Sequence, residues 1–270
     1  MRRVTRREAR GGIVDLHSHV LPGVDDGARD MAESVEMARA AVADGVAVLA
    51  ATPHVRSDYP TDAAHVLAGV ELLQQELRAQ DVPLRVVPGG EVGVHRLTEL
   101  DDEELRRFGL GGNPAVILVE APYSGLTLPR PHPLYDLMAR GFTAVIAHPE
   151  RSHDVRRDPE RVRPLVEAGA LIQVTAGSLG WGVPSDVRAA ARSLIGGGLA
   201  HMIASDGHGP RVRRPSVAVA LETIEDEALA DWLARGVPRA IVERTAIPER
   251  PDPPAPRRSL GRPWRRRRRG

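Results

Sequence analysis

Seven short apolar runs alternate with helical patterns along this chain, and most of the runs stop at a His, Asp or Glu. They are Ile13–Leu16, Ala47–Ala51, Arg85–Pro88, Ala115–Glu120, Ala144–Ala147, Leu171–Thr175 and Met202–Ser205. Each is nearly continuous rather than alternating, as strands covered on both faces are. Between them, Met31–Asp44 carries Val35, Ala38 and Val42 at helical spacing, and Asp62–Gln80 carries Val66, Val70, Leu73 and Leu77. Further helices are predicted over Glu99–Phe108, Pro133–Arg140, Pro159–Ala168, Ser185–Ile195 and Ser216–Arg235. Glycines follow several of these stretches, where a helix is commonly closed by a left-handed residue. The strand–helix alternation predicts a parallel sheet. Seven repeats in 270 residues suggest a closed or nearly closed barrel. An open doubly wound sheet would spread the strand ends along a line, whereas a barrel gathers them at one mouth.

Those ends carry the chemistry. In His17-Ser18-His19, residues i and i+2 share a strand face, so two imidazoles can grip one ion. Asp206-Gly207-His208 repeats the logic on the last strand, and Gly207 is expected to let the backbone approach the site. His54 and His148 each stand where a core strand stops. Any one of them is most simply a packed histidine. Four such sites on four strands are hard to explain as packing, because a buried imidazole needs partners. Glu91 follows the third run and Glu120 ends the fourth, and a Glu there is costly unless paired or metal-bound. A carboxylate can also bridge two ions about 3.5–4 Å apart, the arrangement of two-metal hydrolysis. Imidazole with carboxylate suits Mn, Fe or Zn better than Ca. Arg151 follows His148-Pro149-Glu150, and Arg211, Arg213 and Arg214 follow His208. A guanidinium fork fits phosphate oxygens. Metals with Arg at one mouth point to a phosphate ester.

Composition narrows the chemistry. The chain has no Cys, which excludes disulfides, thiolate zinc sites and a cysteine nucleophile. All 37 basic residues are Arg. Pro248–Gly270 holds nine of them against Glu249 and Asp252, so the tail is basic and the body mildly acidic. Residues 1–12 are expected to form an Arg-rich disordered leader, 13–247 the folded body, and 248–270 a Pro/Arg-rich disordered tail. No apolar stretch is long enough for a membrane span, and the leader lacks the apolar core of a secretory signal, so a cytoplasmic protein is expected. The run Arg265–Arg269 beside Trp264 could meet nucleic acid or an anionic surface, though a solvated extension is the simpler expectation.

The segments IVDLHSHVLPGVDDGARDMAESVEMARAAVADGV, ATPHV, PGGEV, ILVE, AVIAHPER, LIQVTAGSLGWG and IASDGH resemble the PHP (polymerase and histidinol phosphatase) superfamily. Within it they are most similar to the manganese-dependent protein-tyrosine phosphatases of bacterial capsule and exopolysaccharide loci, with LPGVDDGA the most specific segment. The resemblance runs from Ile13 to Thr245. It implies an α/β fold, a distorted (β/α)7 TIM-like barrel in a single domain. It implies three divalent ions, Mn first and Fe or Zn as alternatives. His17, His19, Glu91 and Asp206 would hold one ion, Glu91, Glu120 and His148 a second, and Asp26, His54 and His208 a third. Arg151 and Arg213 would bind and neutralise phosphate, with Arg214 a further substrate-binding candidate. The implied reaction is phosphotyrosine hydrolysis by a metal-bridging hydroxide, on a tyrosine kinase of polysaccharide export. A small-monoester phosphatase such as histidinol-phosphate phosphatase is the alternative. His65, His132 and His153 are expected at the surface or behind the site.

Overall fold

The computed structural model describes residues 11–120, 122–126, 132–211 and 213–252. The predicted leader, up to residue 10, and the predicted tail, from residue 253, lie outside the described residues.

Among the described residues, nine parallel strands form two sheets. They are β1 Ile13–Asp15, β2 Val46–Ala51, β3 His54–Val55, β4 Arg85–Pro88, β5 Glu91–Gly93, β6 Val116–Glu120, β7 Thr143–Ala147, β8 Leu171–Thr175 and β9 Met202–Ala204. One sheet runs β1-β2-β4 and the other β3-β5-β6-β7-β8-β9. The nine are seven passes of chain. β2 and β3 are one pass interrupted at Thr52-Pro53, and β4 and β5 one pass interrupted at Gly89-Gly90. Pro53 has no N–H to give a ladder, so pairing stops there and resumes at His54. The Glu91 amide donates to the Pro53 carbonyl at 3.0 Å and keeps the passes side by side. The ring closes between first and last passes, where Ser18 and Gly207 form a parallel bridge. There the Asp206 amide donates to the His17 carbonyl at 2.9 Å and the His19 amide to the Gly207 carbonyl at 2.8 Å. The predicted seven-unit barrel is therefore present. Its closing seam is made by the His-X-His and Asp-X-His segments themselves.

Each pass contributes to one core cluster, among them Ile13, Leu49, Ile117, Ile146, Ile172 and Ile203. Each such burial contributes roughly 1.5–3 kcal/mol. Helices Met31–Ala43 and Ala63–Ala79 start where Asp30 and Asp62 accept from first-turn amides. Two predicted helices differ. Pro159–Ala168 is a 3-10 turn, Pro159–Val162, followed by the short helix Arg163–Glu167. Ser216–Arg235 is broken, because Asp226 caps a new helix at Glu227–Asp231, which runs through a π turn into Val237–Glu243.

The chain beyond residue 247 does not leave the body at once. The Trp232 indole donates to the Pro248 carbonyl at 2.9 Å, and Arg250 donates to the Ile195 and Ala200 carbonyls at 2.8 and 3.3 Å. Ile195 lies in the last turn of helix Ser185–Gly196, where the negative end of the helix dipole attracts a cation. Composition alone placed Pro248–Asp252 in the tail, and it cannot see this anchor.

His201 packs in the same region. Its Nδ1 accepts from the Ile172 amide at 3.2 Å, so the fold requires a neutral ring. Burial, assisted by the charge of Arg250, pushes its pKa down to about 4. The unfolded ring titrates near 6.5, so its contribution is complete above that pH and is lost as pH falls toward the folded value. In urea unfolding of metal-free protein at pH 7 and pH 4.5, His201→Asn should lose about 1–2 kcal/mol less stability than wild type. Equal losses would remove His201 from the acid sensitivity of the fold.

Candidate metal centre

Every donor singled out from the sequence reaches the mouth formed by the strand ends. His17 and His19 follow β1, His54 opens β3, Glu91 opens β5 and Glu120 ends β6. His148 follows β7, while Asp206 and His208 follow β9. His17, His19 and Glu91 are completely buried and Asp206 almost so. Two of these residues hold left-handed backbone, His148 at φ 35° and Asp206 at φ 53°. Such strain costs on the order of 1–3 kcal/mol and persists where surrounding structure imposes it.

The spacing of the donors is informative. His17 Nε2 lies 3.4 Å from Asp206 Oδ1 and 3.5 Å from Glu91 Oε1. His19 Nε2 lies 3.5 Å from Asp206 Oδ1, 3.6 Å from Glu91 Oε2 and 3.3 Å from His17 Nε2. His54 Nε2 and His208 Nε2 are each 3.4 Å from Asp26 Oδ1. These gaps are long for charge-assisted hydrogen bonds. They match two donors sharing an ion, since bonds of about 2.1 Å at tetrahedral angles set donors about 3.4 Å apart. Glu91 Oε2, His54 Nδ1, Asp206 Oδ1 and His208 Nε2 are buried without a hydrogen-bond partner. His54 Nδ1 and Glu91 Oε2 stand 2.8 Å apart but misaligned for a hydrogen bond. Lone pairs converge here with nothing to satisfy them.

The donors fall into four overlapping groups: His19, Asp26, His54 and His208; His17, His19 and Asp206; His17, Glu91 and His148; and His54, Glu91 and Glu120. The first contains the expected trio of Asp26, His54 and His208. The second contains three of the four residues expected around another ion. Glu120 groups with His54 rather than with His148. The Arg56 guanidinium donates to both Glu120 oxygens, at 2.9 and 3.1 Å.

Residues behind the donors fix their aim. The His17 Nδ1–H donates to Gln173 Oε1 at 2.9 Å and the His19 Nδ1–H to Asp25 Oδ2 at 2.6 Å. Nε2 of each ring is left facing the centre. Asp25 also accepts from the His54 and Gly27 amides, both at 2.9 Å. Burial alone would raise its pKa, but the hydrogen bond and charge of His19 and these amides bring it down to about 2. Burial likewise works against the ionised forms of Glu91 and Asp206. The His17 charge, first among the opposing causes, holds both well below the usual carboxylate range. Burial pushes Asp15 up to about 6, and it accepts from the Ser205 amide at 3.0 Å. The loop needs Gly27, because a Cβ there would fall 2.0 Å from the His19 carbonyl oxygen. At Gly207 a Cβ would press on Pro215 at 3.0 Å, so that glycine makes room for the following loop, not for the site as expected.

Arg151 and Arg213 both reach Asp206 Oδ2, at 2.7 and 2.6 Å. Arg151, Arg213 and Arg214 line one cleft, while Arg211 lines a second hollow beside Asp26. Glu150 is buried and accepts from the Thr175 amide at 2.9 Å and the Ser178 hydroxyl at 2.7 Å, fixing the turn that carries Arg151. Among the unassigned histidines, His132 is buried, and its Nδ1 accepts from the Leu134 amide to cap helix Pro133–Ala139.

Sequence reasoning missed Asp25, Gln173, Arg56 and Glu150. Gln173 and Glu150 carried a usable signal, a polar residue within or just after an apolar run. Arg56 sits two positions after His54, the same i, i+2 relation that marked His17 and His19. Asp25 had none, since adjacency alone cannot tell which Asp of the pair turns inward.

A closed parallel barrel whose mouth gathers imidazoles, carboxylates and guanidinium groups is the architecture of a metallohydrolase. The family model described as Capsular polysaccharide synthesis, CpsB/CapC, matches residues 13–237, and the chain belongs to that family. It is 34% identical to tyrosine-protein phosphatase YwqE of Bacillus subtilis, over 92% of this chain and 98% of the relative. It is 25% identical to tyrosine-protein phosphatase CpsB of Streptococcus agalactiae, over 78% of this chain and 89% of the relative. A solved structure described as YwqE from Bacillus subtilis and CpsB from Streptococcus pneumoniae, unique metal-dependent tyrosine phosphatases, aligns at TM-score 0.78 and 33% identity. That alignment covers 91% of this chain and 100% of the other. A beta-aspartyl dipeptidase of Fervidobacterium islandicum, at TM-score 0.54 and 14% identity over 86% of this chain and 72% of that one, shares the fold alone. No described helix is long and apolar enough to cross a membrane.

Asp25→Ala should weaken divalent-metal affinity about 10–100-fold, the usual cost of losing a partner that orients a liganding His. Competition titration with a chelating dye measures it. Unchanged affinity would mean that His19 is not held for metal by Asp25.

Proposed function

We propose that the protein is a metal-dependent protein-tyrosine phosphatase. The observation that carries the reading is the 3.3–3.6 Å spacing of His17, His19, Glu91 and Asp206 donors around unsatisfied buried lone pairs. The names of the relatives supply the substrate class.

The ions we propose are three and divalent, Mn foremost, with Fe or Zn as alternatives that imidazole and carboxylate ligands also accept. His17, His19, Glu91 and Asp206 would hold one. Glu91, Glu120 and His148 would hold a second once Glu120 turns from Arg56. Asp26, His54 and His208 would hold the third. Bound ions would supply Lewis acidity and a water acidic enough to attack phosphorus at neutral pH, in place of a protein nucleophile.

The chain's own residues do the rest. Gln173 and Asp25 keep the first two imidazoles aimed inward. Arg151 and Arg213, already side by side on Asp206, would offer forked donors to the phosphoryl oxygens and oppose the charge that grows on them. The phenolate released is a fair leaving group, so little acid assistance is required. The phosphoprotein we propose is a tyrosine kinase of polysaccharide export, supported by the capsular-polysaccharide description of the family. Tyrosine phosphorylation consumes ATP, so its product is met in the cytoplasm, the compartment this reading assigns.

The test is turnover of phosphotyrosine peptide, phosphoserine peptide and histidinol phosphate by metal-stripped protein with Mn, Zn, Mg or Fe restored. Metal-dependent hydrolysis of the phosphotyrosine peptide, with Arg151→Ala slower by about 100-fold or more, is expected. Turnover of histidinol phosphate alone would overturn the substrate, and inactivity with every metal would overturn the enzyme.

A further inference from the structure

One wall of the mouth opens into a cleft of about 830 Å³ with Arg151, Asp206 and Arg213 at its floor. That volume is near the top of the roughly 300–1,000 Å³ range of clefts that hold a drug-sized ligand, and exceeds what one phosphorylated ring needs. The excess space lies between the turn around Trp181 with helix Ser185–Gly196 on one side and the segment around Val219 on the other.

Two properties of this space point to an occupant. The first is apolar exposure. Tyr123, Trp181 and Val219 are 69%, 98% and 61% exposed, and all three line this cleft. They are half of the large hydrophobic side chains exposed among the described residues, so exposure is concentrated here rather than scattered. The second is charge. Asp206 is the one carboxylate in the described lining, and Arg151 and Arg213 already neutralise it. Arg188, Arg192 and Arg214 line it too, and among the described residues none of them forms an ion pair with a carboxylate. Arg188 lies 5.6 Å over the Trp181 ring and donates to the Gly180 carbonyl at 3.3 Å, holding the exposed indole in place.

We infer that this cleft is the docking groove for the peptide flanking the phosphotyrosine. It selects carboxylate side chains near the phosphorylated residue, together with an apolar or aromatic side chain that lies on Trp181. The inference rests on the phosphatase reading for the phosphorylated ring and adds what surrounds it. A carboxylate beside the phosphate meets Arg192 and Arg214. An aromatic neighbour covers an indole otherwise left in water, and such a ring buries about 150–250 Å².

The test uses full-length protein loaded with Mn and two kinds of substrate, p-nitrophenyl phosphate and phosphotyrosine peptides with acidic, neutral or basic flanks. The acidic peptide carries one Phe beside the phosphotyrosine. We expect kcat/KM about tenfold higher for the acidic than for the neutral peptide, with the advantage shrinking at about 0.5 M salt. Arg192→Glu should raise KM for the acidic peptide about fivefold at unchanged kcat, and Trp181→Ala should do so for the Phe-containing peptide. Neither should alter turnover of p-nitrophenyl phosphate. Equal kcat/KM for the three flanks, or a KM that neither variant moves, overturns the groove while leaving the phosphatase intact. Peptide binding to metal-free protein, followed by fluorescence polarisation, reads the groove without hydrolysis. Selective binding of the acidic peptide with no activity keeps the groove and sinks the phosphatase. Tighter binding of an acidic polysaccharide than of the acidic peptide overturns the choice of occupant.

Discussion

Glu91 and Asp206 are ionised carboxylates buried at the base of the barrel mouth, with 0% and 1% of their surface exposed. Removing a carboxylate from water costs several kcal/mol even after relaxation, and only nearby positive charge offsets it. Imidazoles and two arginines supply part of that charge, yet Asp206 Oδ1 and Glu91 Oε2 keep no hydrogen-bond partner. The architecture around them follows from this constraint. Parallel strands aim their ends at one point, the seam between Ser18 and Gly207 closes the ring through the His-X-His and Asp-X-His segments, and His148 and Asp206 hold left-handed backbone at its mouth. The mouth thus presents buried oxygen and imidazole lone pairs that could hold cations.

Orientation is supplied from behind. Gln173, Asp25 and the main chain engage Nδ1 of His17, His19 and His208, so each ring faces the centre through Nε2. Arg56 holds Glu120, and Arg151 with Arg213 holds Asp206. These arginines occupy carboxylates that cations and phosphate would draw into other pairings. The site thus carries its own provisional counter-charges.

Much of this was legible in the sequence because the same physics writes both. Strands covered on both faces must be apolar throughout, so the seven passes stood out, and a polar residue at their ends had to have a purpose. The interruptions at Pro53 and Gly89-Gly90 are marked by residues that break a ladder, but periodicity does not say that pairing resumes beyond them. The broken helix after Ser216 was hidden because Ala and Leu favour helix on either side of Asp226 and only the cap divides them. Residues that act through another residue, such as Asp25 and Arg56, were hardest to see. Their role depends on which way a side chain turns, and tertiary packing decides that. The anchoring of Arg250 on the end of helix Ser185–Gly196 was invisible for the same reason.

The central claim is that these strand ends form a polynuclear metal site. It is tested most directly by counting metal in protein purified with Mn present, using mass spectrometry of the digested sample, for wild type and for Glu91→Gln. Glu91 belongs to two of the four donor groups, so changing it alters both at once. About three ions per wild-type chain, with at least one lost in Glu91→Gln, is the expected result. One ion or fewer per wild-type chain, or a full complement retained in Glu91→Gln, would contradict it.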